Sequence, residues 1–68
     1  MKIKVNGDSL ELEKDLTIQE LLTLKEVKMP EMVTVEHNGE ILDRTAFDTT
    51  QIKDGDEIEF LYFMGGGL

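Results

Sequence analysis

Asn-Gly occurs twice in this chain, at 6–7 and 38–39, and each pair lies between short stretches of alternating polarity. Asn and Gly both accept the positive φ angles of tight turns, so each pair folds the chain back on itself. Ahead of the first turn, Met1, Ile3 and Val5 alternate with Lys2 and Lys4. After it, Leu10 and Leu12 alternate with Ser9, Glu11 and Glu13. A period of two on both sides predicts an antiparallel hairpin with one buried face. Val33 and Val35, interleaved with Thr34 and Glu36, predict a third strand, which the second turn returns into a short strand at Glu40-Ile41-Leu42. Asp54-Gly55 marks a further turn before Glu57 to Phe63, an apolar-rich run expected at the centre of the sheet.

Between the two hairpins the period changes. Thr17-Ile18-Gln19-Glu20 reads as a capping box, with Thr17 capping a helix start and Glu20 reaching back to it. Ile18, Leu21 and Leu22 then form an apolar stripe, with Leu24 and Val27 near its end, and Pro30 requires the helix to stop before it. A single striped helix cannot bury its own apolar face, so it must lie across the sheet. The order strand, strand, helix, strand, short strand, strand is that of an α+β protein of the β-grasp (ubiquitin-like) type. It predicts a mixed four- to five-stranded sheet with one helix across one face. The expected core sets Ile18, Leu21 and Leu22 against Ile3, Val5, Ile58 and Phe60, with Phe47 closing one end. Residues 1–64 are read as one domain and 65–68 as a flexible glycine tail.

Composition narrows the chemistry. A chain of 68 residues buries only about 60% of its unfolded surface and supports one small core without a deep enclosed pocket. There is no Cys and one His, which excludes a disulfide framework and a cysteine nucleophile and argues against a metal site. No pairing of nucleophile and base can be assembled, so the chain is not expected to be an enzyme. Fifteen acids against seven bases give a net charge of −8, which repels nucleic acid and favours a basic protein surface as partner. No apolar run is long enough to span a bilayer, and Met1 to Val5 is no signal-peptide core, so a cytoplasmic protein is expected. His37 is read as structural or surface, Arg44 as solvated. Asp54, Asp56 and Glu57 lack the full calcium-loop pattern and are read as turn formers and surface charge.

Gly65-Gly66-Gly67-Leu68 is the odd segment. Three glycines have nothing to pack and a high ordering cost. A slim tail on a rigid head is what a narrow channel in another protein accepts; the plainer alternative is a passive terminus. Taken together, Val5-Asn6-Gly7, the Thr17-Ile18 and Leu21-Leu22 helix start, Val35 with Asn38-Gly39-Glu40-Ile41, Asp54-Gly55-Asp56 with Ile58-Glu59, and the glycine tail resemble the ThiS-type sulfur-carrier proteins of thiamine biosynthesis.

The resemblance implies that the carboxylate of Gly67, with Gly66 beside it and Gly65 as spacer, is adenylated by an E1-like enzyme using ATP. It further implies conversion to a thiocarboxylate that supplies sulfur to thiazole synthase or another acceptor, with the sulfur coming from a donor enzyme. The carrier itself is expected to bind no cofactor or metal, to avoid nucleic acid and membrane, and to be monomeric when free. Leu61, Phe63 and Met64 are the expected apolar docking residues, with Asp54 and Asp56 as surface acids facing the partner. Family members end in Gly-Gly; Leu68 departs from that ending. It is read as a residue left by cloning or, failing that, one removed by a peptidase. The alternatives are a β-grasp interaction module with no carrier role, and a carrier for another route such as molybdopterin synthesis.

Overall fold

The computed structural model describes residues 1–62. Two hairpins flank one helix: β1 (Lys2–Val5) and β2 (Asp8–Glu11), then α1 (Ile18–Leu24), then β3 (Val33–His37) and β4 (Glu40–Leu42), and finally β5 (Glu57–Tyr62). The five strands form one sheet in the order β2-β1-β5-β3-β4. β5 is parallel to β1 and antiparallel to β3, so the mixed sheet has its last strand at the centre, where the apolar run predicted it.

Both Asn-Gly turns form as read. Asn6 and Asn38 have φ of 52° and 54°, and Gly7 and Gly39 both have φ of 87°. All four residues thus occupy the region that disfavours ordinary side chains, which fixes the tight reversal and the register of each hairpin. Ile3 then pairs with Leu10, and His37 with Glu40.

The helix starts where the capping box places it. The Glu20 N–H donates to Thr17 Oγ1 at 3.1 Å, and the Thr17 N–H donates to Glu20 Oε1 at 2.9 Å. Two more N–H groups at the helix start, on Ile18 and Gln19, donate to the Thr50 and Phe47 carbonyls. The loop after β4 therefore satisfies donors that the helix itself leaves unpaired. Ile18, Leu21 and Leu22 are fully buried with Ile3, Val33, Val35 and Ile58, while Val5, Leu12, Leu16, Phe47 and Ile52 are buried around them. Phe60 is half-buried and packs against the same cluster.

The helix ends well short of Pro30. Glu26 takes φ of 53°, its N–H donates to the Thr23 carbonyl, and the Val27 N–H donates to the Leu22 carbonyl. This is a Schellman ending with a glutamate where glycine is usual, and Val27 folds back onto the core as its hydrophobic clasp. Leu24, the last helical residue, lies off the face shared by Ile18, Leu21 and Leu22 and is 54% exposed. Pro30 instead opens a short 3-10 turn, Pro30–Met32. A second one, Arg44–Ala46, is capped by Asp43.

Candidate functional site

The sheet buries one face under α1 and leaves the other open. Directly opposed residues share a face, so the pairs Thr34–Leu61, Glu36–Glu59 and Glu36–Ile41 assemble the open face around β3 and β5. Leu61, an expected docking residue, is half-buried there. Ile41, read only as part of a short strand, is 71% exposed on β4, opposite Glu36. Glu36 and Glu59 stand directly opposite each other, and among the described residues neither meets a cation within salt-bridge distance. Like charges facing across strands are destabilising, so the pair is relieved when a cation is placed over it. Alternation along single strands could have revealed Glu59, but not that Glu36 is its neighbour. Phe63, Met64, Gly65, Gly66 and Gly67 lie outside the described residues, as does the expected division into head and tail.

On the helix side, the far end of β5 borders an open cleft of about 530 Å³ lined by Val5, Leu10, Lys25, Val27, Phe60 and Tyr62. Tyr62 is 48% exposed at its rim. The cleft exists because β1 turns away at Asn6 while β5 runs on.

The near end of β5 is fixed by a polar knot, and here the expectation for Asp56 is corrected. Asp54 is an exposed turn residue, as read, and its Oδ1 accepts the Lys2 N–H at 2.7 Å. Asp56 is no surface acid: it is only 8% exposed, and its carboxylate accepts from three donors. Asp56 Oδ2 takes His37 Nε2 at 2.7 Å and the Lys53 N–H at 2.9 Å, while Oδ1 takes Asn38 Nδ2 at 3.1 Å. An ionised carboxylate only accepts, so the Nε2 atom of His37 carries the hydrogen. Burial pushes the Asp56 carboxyl up, but the bonds from His37, Lys53 and Asn38 outweigh it and hold the group below its ordinary value. The reason sequence alone misplaces Asp56 is that its partners lie on three different segments.

The sign of that shift sets a prediction. A depressed carboxylate contributes stability above its unfolded value, and that contribution disappears as pH falls through the lower folded value. Asp56→Asn should therefore cost about 1–3 kcal/mol near neutrality, since an amide has one accepting oxygen where the carboxylate has two, and its NH2 faces a donor whichever way it turns. The gap to wild type should close in acid, below the ordinary carboxylate range. Urea titrations at several pH values would show it; a gap that widens in acid would contradict the assignment.

Arg44 is likewise not simply solvated. Its guanidinium donates to the Pro30 carbonyl at 2.8 Å and the Val33 carbonyl at 2.7 Å, and lies 5.4 Å from the centre of the Phe47 ring. It ties the loop after β4 to the entry of β3. Among the described residues, no group of three or more His, Asp or Glu is arranged to hold a metal ion, and no helix is long and apolar enough to cross a membrane.

The described residues thus define a β-grasp head, a five-stranded mixed sheet with one helix across one face, whose central strand is also the last along the chain. The model of the ThiS family matches residues 3–67, and the chain belongs to that family. It is 52% identical to the thiamine biosynthesis protein (ThiS) from Geobacter metallireducens, whose crystal structure superposes with a TM-score of 0.90 and covers 98% of this chain and 100% of that one. It is 35% identical over 66 residues to the sulfur carrier protein ThiS of Bacillus subtilis, covering 96% of this chain and 98% of that protein. Thiazole synthase of Paramagnetospirillum magneticum is 33% identical over 67 residues, which is 98% of this chain and 20% of the synthase. This chain thus spans about a fifth of the length of that relative.

Proposed function

We propose that the chain is a sulfur carrier of thiamine biosynthesis and that Gly67, as the terminal residue, bears the sulfur. The observation that carries this reading is the family match, which runs through the whole head and ends on Gly67. In the first step the Gly67 carboxylate attacks the α-phosphorus of ATP and displaces pyrophosphate, which leaves the tail as an acyl-adenylate. A hydrosulfide equivalent then attacks the acyl carbon, AMP departs with the bonding pair of the C–O bond, and a proton is released to give the thiocarboxylate. The adenylate is needed because a carboxylate has no leaving group weak enough in base to depart. Glycine suits the end of the arm because no side chain obstructs either attack.

The chemistry belongs to an E1-like activating enzyme, and the carrier is its co-substrate. The head supplies docking: an open face with Leu61 and Ile41 around the opposed Glu36 and Glu59 favours a partner with an apolar centre and basic neighbours. Thiazole synthase is the proposed acceptor. Its support is the synthase from P. magneticum, a fifth of which is similar to this chain. Joining a carrier to the enzyme it serves raises their effective concentration.

Intact mass tests the reading. A chain ending at Gly67, incubated with the cognate activating enzyme, ATP and sulfide, should gain the mass difference between sulfur and oxygen. The same mixture without ATP should leave it unchanged. A chain that binds the enzyme and never gains that mass would instead be a β-grasp interaction module.

A further inference from the structure

We propose that Asn6 is a positioning residue for the reacting tail: its side-chain carbonyl holds β5 at the point where β1 stops pairing with it, and so sets the direction in which the chain leaves the head. The proposal rests on the carrier reading above. On its β3 side, β5 is paired as far as Tyr62, opposite Val33. On its β1 side, the parallel ladder stops at Val5–Ile58, because the chain turns at Asn6-Gly7. A strand end held along one edge only is free to twist and lift from the sheet.

Asn6 extends the missing edge without continuing the strand. Its N–H donates to the Ile58 carbonyl at 2.9 Å, and its Oδ1 accepts the Phe60 N–H at 2.8 Å. One residue thus makes two successive rungs, the second from its side chain. The turn itself does not require that carbonyl, since Gly is equally at home at this φ. Asn does what the turn needs and adds an acceptor aimed at β5.

The other Asn-Gly turn supplies an internal comparison. Asn38 also clamps β5 through backbone and side chain, donating to the Glu57 carbonyl at 2.7 Å and accepting the Glu57 N–H at 2.8 Å. That clamp grips the entry of the strand. The Asn6 clamp grips it three residues further on, towards the glycines. Loss of either removes a β5 amide bond, but only loss of the second loosens the exit.

The experiment uses the chain ending at Gly67 with the cognate activating enzyme, ATP and sulfide, and follows thiocarboxylate formation together with amide exchange at Phe60. Asn6→Gly keeps the turn and drops the acceptor. It should speed Phe60 exchange and lower kcat on the order of tenfold with KM little changed, because docking by the head precedes placement of the tail. Asn6→Asp keeps both the acceptor and the tolerance of positive φ, and should restore kcat. Asn38→Gly should lower stability at least as much, since Asn38 also donates to Asp56, yet leave kcat as in wild type. The proposal is overturned if Asn6→Gly turns over normally, if its Phe60 exchange is unchanged, or if Asn38→Gly lowers kcat equally. A wild-type chain that forms no thiocarboxylate would overturn the carrier reading itself, and this proposal with it.

Discussion

A chain shortened by Gly67 and Leu68 is expected to bind the activating enzyme nearly as well as the chain ending at Gly67 and to yield no thiocarboxylate at the expected site. Reach decides the outcome. Removing one residue from an extended arm retracts the terminal carboxylate by about 3.3–3.6 Å. Reacting atoms must approach to about 3–3.5 Å, and a misplacement of about 1 Å can already cost on the order of a hundredfold. The loss should therefore be complete within the range of a mass assay. A chain that keeps Leu68 should fail for the opposite reason, since its carboxylate overshoots by the same length and brings an isobutyl group with it. Binding titrations beside intact-mass measurements on the three chain lengths separate docking from transfer. Normal yield from the chain ending at Gly66 would refute the claim that Gly67 carries the reacting carboxylate.

Leu21→Ala should have the largest effect on the head. Leu21 is wholly buried at the centre of the helical stripe, and truncating such a leucine leaves a cavity that costs about 2–4 kcal/mol. A domain of this length has roughly 3–10 kcal/mol of stability in total. The variant should thus lose a large part of its resistance to urea, with the midpoint lowered and the slope retained. A loss below about 1 kcal/mol would mean that the site collapses around the deletion or that the stripe does not hold the helix to the sheet.

Local chemistry made most of the architecture legible. Asn6-Gly7 and Asn38-Gly39 specify turns through the φ angles they tolerate, and Thr17 with Glu20 specifies a helix start through two reciprocal hydrogen bonds. Each signal is contained within a few residues. The helix end was not legible, because Glu26 takes a conformation that sequence usually marks with glycine. Asp56 looks like a surface acid in sequence because its burial depends on His37, Asn38 and Lys53, which only the fold brings together. The same holds for Arg44, whose acceptors are carbonyls with no side-chain signature. Of the candidate site, Leu61 was visible as an apolar residue, whereas the opposed Glu36 and Glu59 became visible only through the register of β3 against β5. In sequence Asn6 signals only its turn, since its second partner, Phe60, is 54 positions away.

That distance has a consequence for how the protein is made. The middle strand of the sheet is the last of the five along the chain, and its neighbour β1 is the first. Until β5 has been synthesised, the two hairpins share no strand between them, and the apolar face of α1 has only half a floor. Closing so long a loop costs entropy before any contact repays it, so the rate-limiting step of folding should be the arrival of β5 between β1 and β3. The head therefore becomes recognisable to a partner only when synthesis has reached the segment that precedes the glycines. A nascent chain with a finished head but no arm is a species this topology all but eliminates.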